Sequence, residues 1–435
     1  MNIRDINSKI INGELDGMFA KLYVDPSKFG YQRVRYTSAL HNFEQLFGAE
    51  AIEDVSIFSA PGRTEIGGNH TDHQHGQVLA AAISDDAIAI TSKYEGYVHL
   101  FSEGYDMITL DISSLDPVKE EQGTTKALIR GVLAGMKDRG FNIGGFCAYV
   151  TSDVLSGSGL SSSAAFESLI GVIISGLYNE SSVEQPEIAK IGQFSENVYM
   201  GKPCGLMDQM ASSVGSLCYI DFKDPSEPVI QRIDFSLESV GYSLCITDTK
   251  GSHADLTPDY AAVPAEMKSA AAVFGKDVLR EVADEDIISG INKIREAAGD
   301  RAALRAIHFM GETKRAAAEA EALKAGDWSR FLNIFKKSGD SSFKYLQNVY
   351  TSHDTAHQNV TLGIAMSELV LDTCSPVPAE NKGVVRVHGG GFAGTIQAFV
   401  KNEFVEEYKD AMDALFGDGS CNVLKIRSEG CVKVI

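Results

Sequence analysis

A polar segment at residues 60–83 brings side chains that can do chemistry directly beside apolar residues. It reads APGRTEIGGNHTDHQHGQVLAAAI, and polar and charged residues crowd around four glycines before the segment becomes apolar. The apolar residues that follow indicate a buried strand. So many polar side chains directly beside a buried strand indicate a functional role for the segment. A loop held by an Asx turn is the alternative for His70 and Asp72.

A second stretch, SDVLSGSGLSSSAAFESLIGVI at residues 152–173, lies between the strand-like FCAYVTS and a helical pattern. Its glycines permit a tight turn, and its serines supply hydroxyls beside the positive end of the following helix. The stretch therefore predicts an anion-binding loop. It has no lysine of the GxxxxGK[ST] type and no dinucleotide-binding glycine spacing. A glycine–serine turn that only caps the helix is the alternative for this stretch taken alone.

Two further motifs come later in the chain. The segment CGLMDQMASSVG at residues 204–215 places Asp208 at the start of a helical pattern, where an aspartate also favours the helix dipole. The segment VRVHGGGFAGTIQAFV, from Val385 onward, puts four glycines between strand-like runs. So many glycines predict a loop that approaches a ligand or another domain closely.

Composition limits the class of protein that can carry these motifs. The 435 residues are 44% hydrophobic and 23% charged, which is typical of a globular protein with more than one folding unit. A net charge of −20 argues against nucleic-acid partners, which require basic patches. The longest apolar run, residues 169–178, is too short to cross a membrane, and the charged N-terminus predicts no signal peptide. The sequence thus predicts a cytoplasmic protein without a membrane partner. Its seven scattered cysteines predict neither disulfides nor a zinc site.

The elements that position the motifs alternate between strands and helices up to about residue 250. Residues 264–348 are rich in alanine and helical in pattern, and strands return at GVVRVHG and TIQAFV. These patterns predict an α+β protein of two domains, residues 1–240 and 241–435, that share a cleft.

The order of PGR, HTDHQ, GLSSSAA, CGLMDQM and GGGFAG resembles the galactokinases of the GHMP small-molecule kinase superfamily. The resemblance covers most of the chain, and only about the first thirty residues are additional. It implies the two-domain GHMP kinase fold. In that fold an N-terminal domain like ribosomal protein S5 meets a ferredoxin-like C-terminal α+β domain, with the active site between them.

The resemblance also implies an activity and its residues. The protein would use ATP and Mg²⁺ to phosphorylate the anomeric hydroxyl of galactose. Asp208 would be the catalytic base, with Arg63 beside it. The sugar-binding residues would be Arg63, Asn69, His70, Asp72, Gly205, Asp208 and Tyr260. The ATP phosphates would lie against Gly157, Ser158, Gly159, Leu160, Ser161, Ser162 and Ser163. The metal would be held by Ser162 and Glu196.

Two residues depart from the galactokinase pattern. Most members have a glutamate where this chain has Asn69, contacting the sugar's C6 hydroxyl, and an asparagine where it has Glu65. Loss of a fixed charge there would tolerate a C6 carboxylate, so galacturonate is an alternative to galactose. A further departure, at Val387, His388 and Ala393, would adjust the third motif.

Two alternatives of other kinds are a catalytically idle galactose and ATP sensor, and a GHMP kinase for another substrate class. The sequence assigns no adenine contacts and no oligomeric state, and it is compatible with a monomer.

Overall fold

The computed structural model describes residues 1–48, 53–154, 159–202, 204–252, 256–373 and 381–435. The α-helices in these ranges are α1 Ile3–Ile11, α2 Asp16–Tyr23, α3 Phe29–Phe47, α4 Thr125–Asp138, α5 Ser162–Tyr178, α6 Gln185–Phe194, α7 Met207–Val214, α8 Thr257–Ala272, α9 Asp284–Ser289, α10 Ile291–Ala298, α11 Asp300–Lys324, α12 Trp328–Ser341, α13 Asn359–Val370 and α14 Val405–Phe416. The strands are β1 Ser56–Gly67, β2 Gln77–Lys93, β3 Tyr97–Ser102, β4 Ile108–Asp111, β5 Phe146–Ser152, β6 Leu217–Asp221, β7 Val229–Ile233, β8 Tyr242–Asp248, β9 Gly383–Val387, β10 Thr395–Lys401, β11 Cys421–Leu424 and β12 Val432–Lys433. No helix in this part of the chain has the length and apolar character needed to cross a bilayer.

The first sheet has the strand order β12-β1-β2-β5-β3-β4, and β6 and β7 extend it from β2. The long strands β1 and β2 form an antiparallel pair in which every residue of β1 is buried. Their register shifts twice, between Pro61 and Arg63 and between Glu65 and Gly67. Such irregularities bend a strand and redirect its side chains, which is common beside active sites. Here they lie on the polar motif itself.

The second sheet is antiparallel with the order β11-β8-β10-β9. Helix α12 packs against β9, and α13 and α14 cover the same sheet. One hydrophobic cluster joins both sheets, because Leu79 of β2, Leu323 of α11 and Phe399 of β10 all belong to it. The two halves therefore share a core, with the polar motif at their junction.

The predicted domain boundary at residue 241 falls between β7 of the first sheet and β8 of the second. The end of the chain differs from the two-range prediction, because β12 pairs with β1 in the first sheet. Ile426 also forms a bridge with Ile83 of β2. The last residues of the chain therefore complete the first sheet and belong structurally to the N-terminal half.

The additional N-terminal segment forms α1, α2 and α3 and packs on the first sheet. Apolar side chains from all three helices share a core cluster with Ile57 of β1 and Ile90 of β2. A buried polar group reinforces this contact, since Arg35 Nη1 lies 2.7 Å from Asp86 Oδ1 and Tyr23 donates to Asp86 Oδ2 at 3.1 Å. The segment is an integral layer of the N-terminal half.

Candidate active site

The strand β1 holds an ion pair that crosses to α7. Arg63 Nε lies 2.6 Å from Asp208 Oδ1, and Arg63 Nη2 lies 2.6 Å from Asp208 Oδ2. This two-pronged geometry is the strong form of an arginine–carboxylate contact. Arg63 also donates through Nη1 to the Gly159 carbonyl and through its backbone N–H to Leu160 at 3.0 Å. The sequence prediction that Arg63 and Asp208 sit together is confirmed.

Asp208 is held as a carboxylate in the first turn of α7. Burial alone would raise its pKa, but the Arg63 guanidinium and the Ser161 hydroxyl, which donates at 2.6 Å, bring the net shift below the usual range. The side chain remains 31% exposed, so it faces a cleft. An ionised, accessible carboxylate can accept a proton from a ligand hydroxyl.

The described part of the serine-rich loop lies directly beside this pair. Helix α5 begins at Ser162, and its N-cap residue Ser161 has a left-handed backbone (φ 59°) and makes no side-chain cap. Its hydroxyl is used for Asp208 instead. Backbone strain of this kind concentrates at functional sites. The start of α5 is thus left open toward the cleft, which suits an anion.

The cleft itself has a volume of about 360 Å³. Its walls come from β1, the serine-rich loop with the start of α5, the segment that precedes α7 and the first turn of α7. The lining residues are Arg63, Gly159, Ser161, Ser162, Ser163, Glu196, Lys202, Cys204 and Asp208. Of the predicted phosphate-binding residues, Gly157 and Ser158 lie outside the described residues, and Leu160 is buried behind the loop. The others that were predicted for phosphate and metal share this cleft.

Glu196 lies on a π-helical turn, Ser195–Met200, that continues α6. Such turns are rare and often occur at functional sites. Its carboxylate is 3% exposed; Oε1 lies 3.1 Å from Lys202 Nζ, and Oε2 accepts from Gln209 Nε2 at 2.9 Å. With the Ser162 hydroxyl it gives the cleft two hard oxygen donors. This set fits Mg²⁺, which takes few protein ligands and completes its shell with phosphate and water.

The opposite side of Asp208 is formed by the HTD segment. Asp72 is close enough to Asp208 that the like charge adds to burial in raising the Asp72 pKa to about 6. Gly205 lies against the Asp72 carboxylate, which any side chain at residue 205 would overlap. The His70 ring contacts the Gly390 carbonyl at 3.0 Å, and burial lowers its pKa to about 4. A neutral His70 therefore donates to Gly390 through Nε2.

The third glycine motif closes this side of the site. Tyr260 at the start of α8 donates to the Gly391 carbonyl at 2.7 Å and packs edge-on against Phe392, with ring centroids 5.2 Å apart. Gly390 faces the Tyr260 ring so closely that a side chain there would contact it. The glycines thus allow the loop to approach both His70 and Tyr260. Their number follows from close packing between the halves.

Asn69 makes a different set of contacts from the expected one. Its Nδ2 donates to Glu65 Oε1 at 2.9 Å and to the Gly389 carbonyl at 2.7 Å. Its Oδ1 accepts from Ser342 and Asn348 at 3.1 and 2.9 Å. These four hydrogen bonds use the whole capacity of the amide. Asn69 therefore joins the two halves, and a direct sugar contact through its side chain stays a prediction.

Sequence reasoning missed several residues that shape the site. Lys202 lines the cleft beside Glu196, and its place two residues before Cys204 in GKPCG was a signal that could have found it. His388 was noted from the sequence only as a departure in the third motif; it is buried between Thr64 and Thr395, at 3.1 and 2.8 Å, and these contacts were not anticipated. Such a contact between distant segments leaves no local sequence signal. Glu312 of α11, which accepts from the Gly68 N–H at 3.0 Å, is of the same kind.

Comparison with known proteins identifies the family. The galactokinase galactose-binding signature matches residues 41–93, and the GHMP kinases N-terminal domain matches residues 127–216. A galactokinase from Glaesserella parasuis is 30% identical over 373 residues, which cover 84% of this chain and 89% of the relative. A galactokinase from Streptomyces coelicolor is 29% identical over 86% of this chain and 91% of the relative.

Solved structures agree on the fold. The galactokinase from Lactococcus lactis, in complex with galactose, superimposes with a TM-score of 0.77 over 92% of this chain and all of that chain, at 23% identity. The mevalonate kinase from Methanococcus jannaschii has a TM-score of 0.60 at 15% identity, over 86% of this chain and 99% of that chain. These matches establish the GHMP kinase fold. With the sequence match to curated relatives over more than four fifths of each chain, they show that this chain belongs to the galactokinase family.

Proposed function

We propose that the protein transfers the γ-phosphoryl group of ATP to the anomeric hydroxyl of galactose. The observation that carries this proposal is the Arg63–Asp208 pair at the meeting point of the serine-rich loop and the HTD segment. One side of Asp208 offers an open helix N-terminus for phosphate, and the other offers Asp72 for sugar hydroxyls. This arrangement sits in a chain whose relatives are galactokinases.

The chemistry is a direct displacement at the γ-phosphorus. The sugar oxygen bonds to phosphorus, the bond from phosphorus to the β–γ bridging oxygen breaks, and the hydroxyl proton passes to Asp208. Arg63 keeps Asp208 ionised until it accepts that proton. Mg²⁺ held by Ser162 and Glu196 would neutralise charge on the phosphate oxygens. Positioning and electrostatics supply most of the rate in such reactions.

In this proposal Asp72, His70 and Tyr260 bind the sugar. Gly205 has no side chain and so leaves room for the Asp72 carboxylate. Galacturonate is the second candidate substrate, and a specific observation favours it. The side chain at residue 69 is a neutral amide held by four protein hydrogen bonds, so it presents no fixed negative charge to a C6 carboxylate. The two candidates predict opposite preferences at C6.

The test is sugar-dependent ADP release from Mg·ATP across galactose, galacturonate, glucose, N-acetylgalactosamine, arabinose and no sugar. We expect turnover with galactose and the largest kcat/KM for it. Asp208→Asn should keep sugar and nucleotide binding but lose a factor of about 10²–10⁴ in kcat, because only the base is removed. A galacturonate preference would replace the sugar in the proposal. If the protein binds galactose and ATP but releases no ADP with any of these sugars, that result would contradict the proposed kinase activity and favour a sensor.

A further inference from the structure

Lys202 places an ammonium group in the phosphate side of the cleft. It follows Gly201, at the end of the π-helical turn, and its backbone N–H bonds the Glu196 carbonyl at 3.1 Å. Its side chain is 66% exposed, yet Nζ contacts the nearly buried carboxylate of Glu196 at 3.1 Å. A long exposed side chain can move away from a buried anion when another cation takes its place, because the buried charge then stays paired.

The charges around the cleft balance before any ligand binds. Among its described lining residues, Arg63 and Lys202 are the cations, and Asp208 and Glu196 are the anions. Arg63 is committed to Asp208 by two contacts. Lys202 Nζ contacts Glu196 Oε1, and Glu196 Oε2 accepts from Gln209. A bound triphosphate would add several negative charges beside these groups.

We propose that Lys202 is a phosphate-binding residue that exchanges partners during the reaction cycle. In the free protein the Lys202 ammonium contacts the carboxylate of Glu196, the residue expected to bind Mg²⁺. When Mg²⁺ and ATP bind, Lys202 releases Glu196 to the metal and donates hydrogen bonds to oxygens of the γ-phosphoryl group. It stays protonated throughout transfer, while the sugar proton goes to Asp208. This inference rests on the proposed kinase function.

The exchange makes two predictions that can be measured by binding alone. Lys202 contacts the γ-phosphate, so its removal weakens binding of a triphosphate more than binding of ADP. It also competes with the metal, so its removal frees Glu196 and strengthens binding of a divalent cation without nucleotide. A purely structural lysine would produce neither of these opposite changes.

The experiment compares Lys202→Met and Lys202→Arg with Lys276→Met. Lys276 is an exposed lysine whose Nζ is 3.9 Å from Glu281, outside the cleft, so it is the matched control. Calorimetry with Mg²⁺ and the β,γ-imido analogue of ATP should show about tenfold weaker binding for Lys202→Met, as expected for the loss of a charge-assisted contact. ADP binding should change less than threefold. Lys202→Arg should recover most of the analogue affinity.

The second readout is Mn²⁺ binding without nucleotide, followed by electron paramagnetic resonance. Lys202→Met should bind Mn²⁺ at least threefold more tightly than wild type, and Lys276→Met should equal wild type. Equal Mn²⁺ affinity in both methionine variants would overturn the exchange, as would equal losses for the analogue and ADP. Absence of sugar-dependent ADP release by wild type would instead overturn the kinase proposal, because the binding comparison needs no turnover.

Discussion

Two carboxylates at the site are in opposite electrostatic situations although they are neighbours. Asp208 has a lowered pKa because Arg63 and Ser161 overcome its burial. Asp72 has a pKa raised to about 6 because burial and the Asp208 charge both disfavour ionisation. This difference in pKa separates the predicted base, Asp208, from the predicted sugar ligand, Asp72. Asp208 is ionised at all working pH values, whereas Asp72 can gain a proton just below neutrality.

We therefore predict that Asp72 sets the acid limb of the pH profile. As pH falls through about 6, Asp72 becomes protonated and can no longer accept two sugar hydroxyls, so kcat/KM for the sugar should fall tenfold per pH unit. His70 and His73, with pKa values lowered to about 4 and about 3 by burial, do not titrate there. The measurement is kcat/KM between pH 5 and 8. Asp72→Asn should be less active overall and should lose this limb; a limb that persists in that variant would assign it elsewhere.

The raised pKa of Asp72 also makes the free energy of unfolding depend on pH, in the opposite direction to kcat/KM. The folded state binds the Asp72 proton more tightly than the unfolded state between about pH 4 and 6. The contribution of Asp72 to the free energy of unfolding therefore decreases as pH rises through this window. Its ionised form persists at neutral pH at a cost in stability, which is typical of a residue retained for binding.

The bonds of Asn69 lead to a prediction for a charge swap with Glu65. Asn69→Glu would place a second buried carboxylate beside Glu65 Oε1, which now accepts from the Asn69 amide at 2.9 Å. We expect this variant to lose about 3 kcal/mol in the free energy of unfolding, since an uncompensated charge is buried. Glu65→Asn combined with Asn69→Glu restores one carboxylate and one amide, and should recover more than half of that loss. Urea denaturation measures both values; additive losses in the double variant would contradict the pairing.

Single-residue contacts divide into those that the sequence could indicate and those that it could not. Arg63 and Asp208 come from motifs with strong residue-type signals, and their proximity was predicted. The partners of Asn69 include Gly389, Ser342 and Asn348, which lie 273 to 320 positions further along the chain. No local pattern encodes such pairings. For this reason the sugar-facing role expected for Asn69 did not anticipate its protein contacts.

At the level of elements, the strand–loop–helix pattern around the serine-rich loop was predictable from its periodicity. It appears as β5 and α5. The run PEIAKIGQFSENVYM has an amphipathic helical pattern throughout, but α6 changes to a π-helical turn at Ser195. The Ser195 hydroxyl donates to the Leu128 carbonyl at 2.8 Å, which ties this turn to α4. Tertiary packing therefore favours π-helical geometry in the turn that carries Glu196, and the hydrophobic periodicity of the sequence cannot indicate this.

Gly205 lies in the segment that leads into α7, and its contact with Asp72 allows a test of how packing between elements positions that carboxylate. A methyl group at Gly205 would overlap the Asp72 carboxylate, so Gly205→Ala must displace either the junction or Asp72. We expect the sugar KM to rise at least tenfold, while the affinity for the ATP analogue changes less than threefold. Gly17→Ala in α2 is the matched control, because no atom lies within 4 Å of its new methyl group. Steady-state kinetics and calorimetry separate the two effects; equal changes for sugar and nucleotide would show a general distortion.

Across the molecule, the active site depends on two halves that are locked together at their edges. The chain end returns to the first sheet through β12, and Arg427 contacts Asp86 at 3.2 Å. Asp86 also binds Arg35 from the N-terminal helices and accepts from Ser59 at 2.5 Å. One buried carboxylate therefore joins the first helices, the central strands and the last residues. The sequence indicated an additional N-terminal segment but not this connection, because its members are spread over the whole chain.

This connection makes the N-terminal helices part of the cooperative unit. Arg35→Leu leaves Asp86, which is fully buried, without one of its cations, and should cost about 3–5 kcal/mol in the free energy of unfolding. Arg33→Leu in the same helix breaks only a half-exposed pair with Asp16 and should cost far less. Urea denaturation followed by circular dichroism and by nucleotide binding should give one coincident transition for each variant. Loss of helical signal from Arg35→Leu before loss of nucleotide binding would show instead that the first helices unfold independently of the active site.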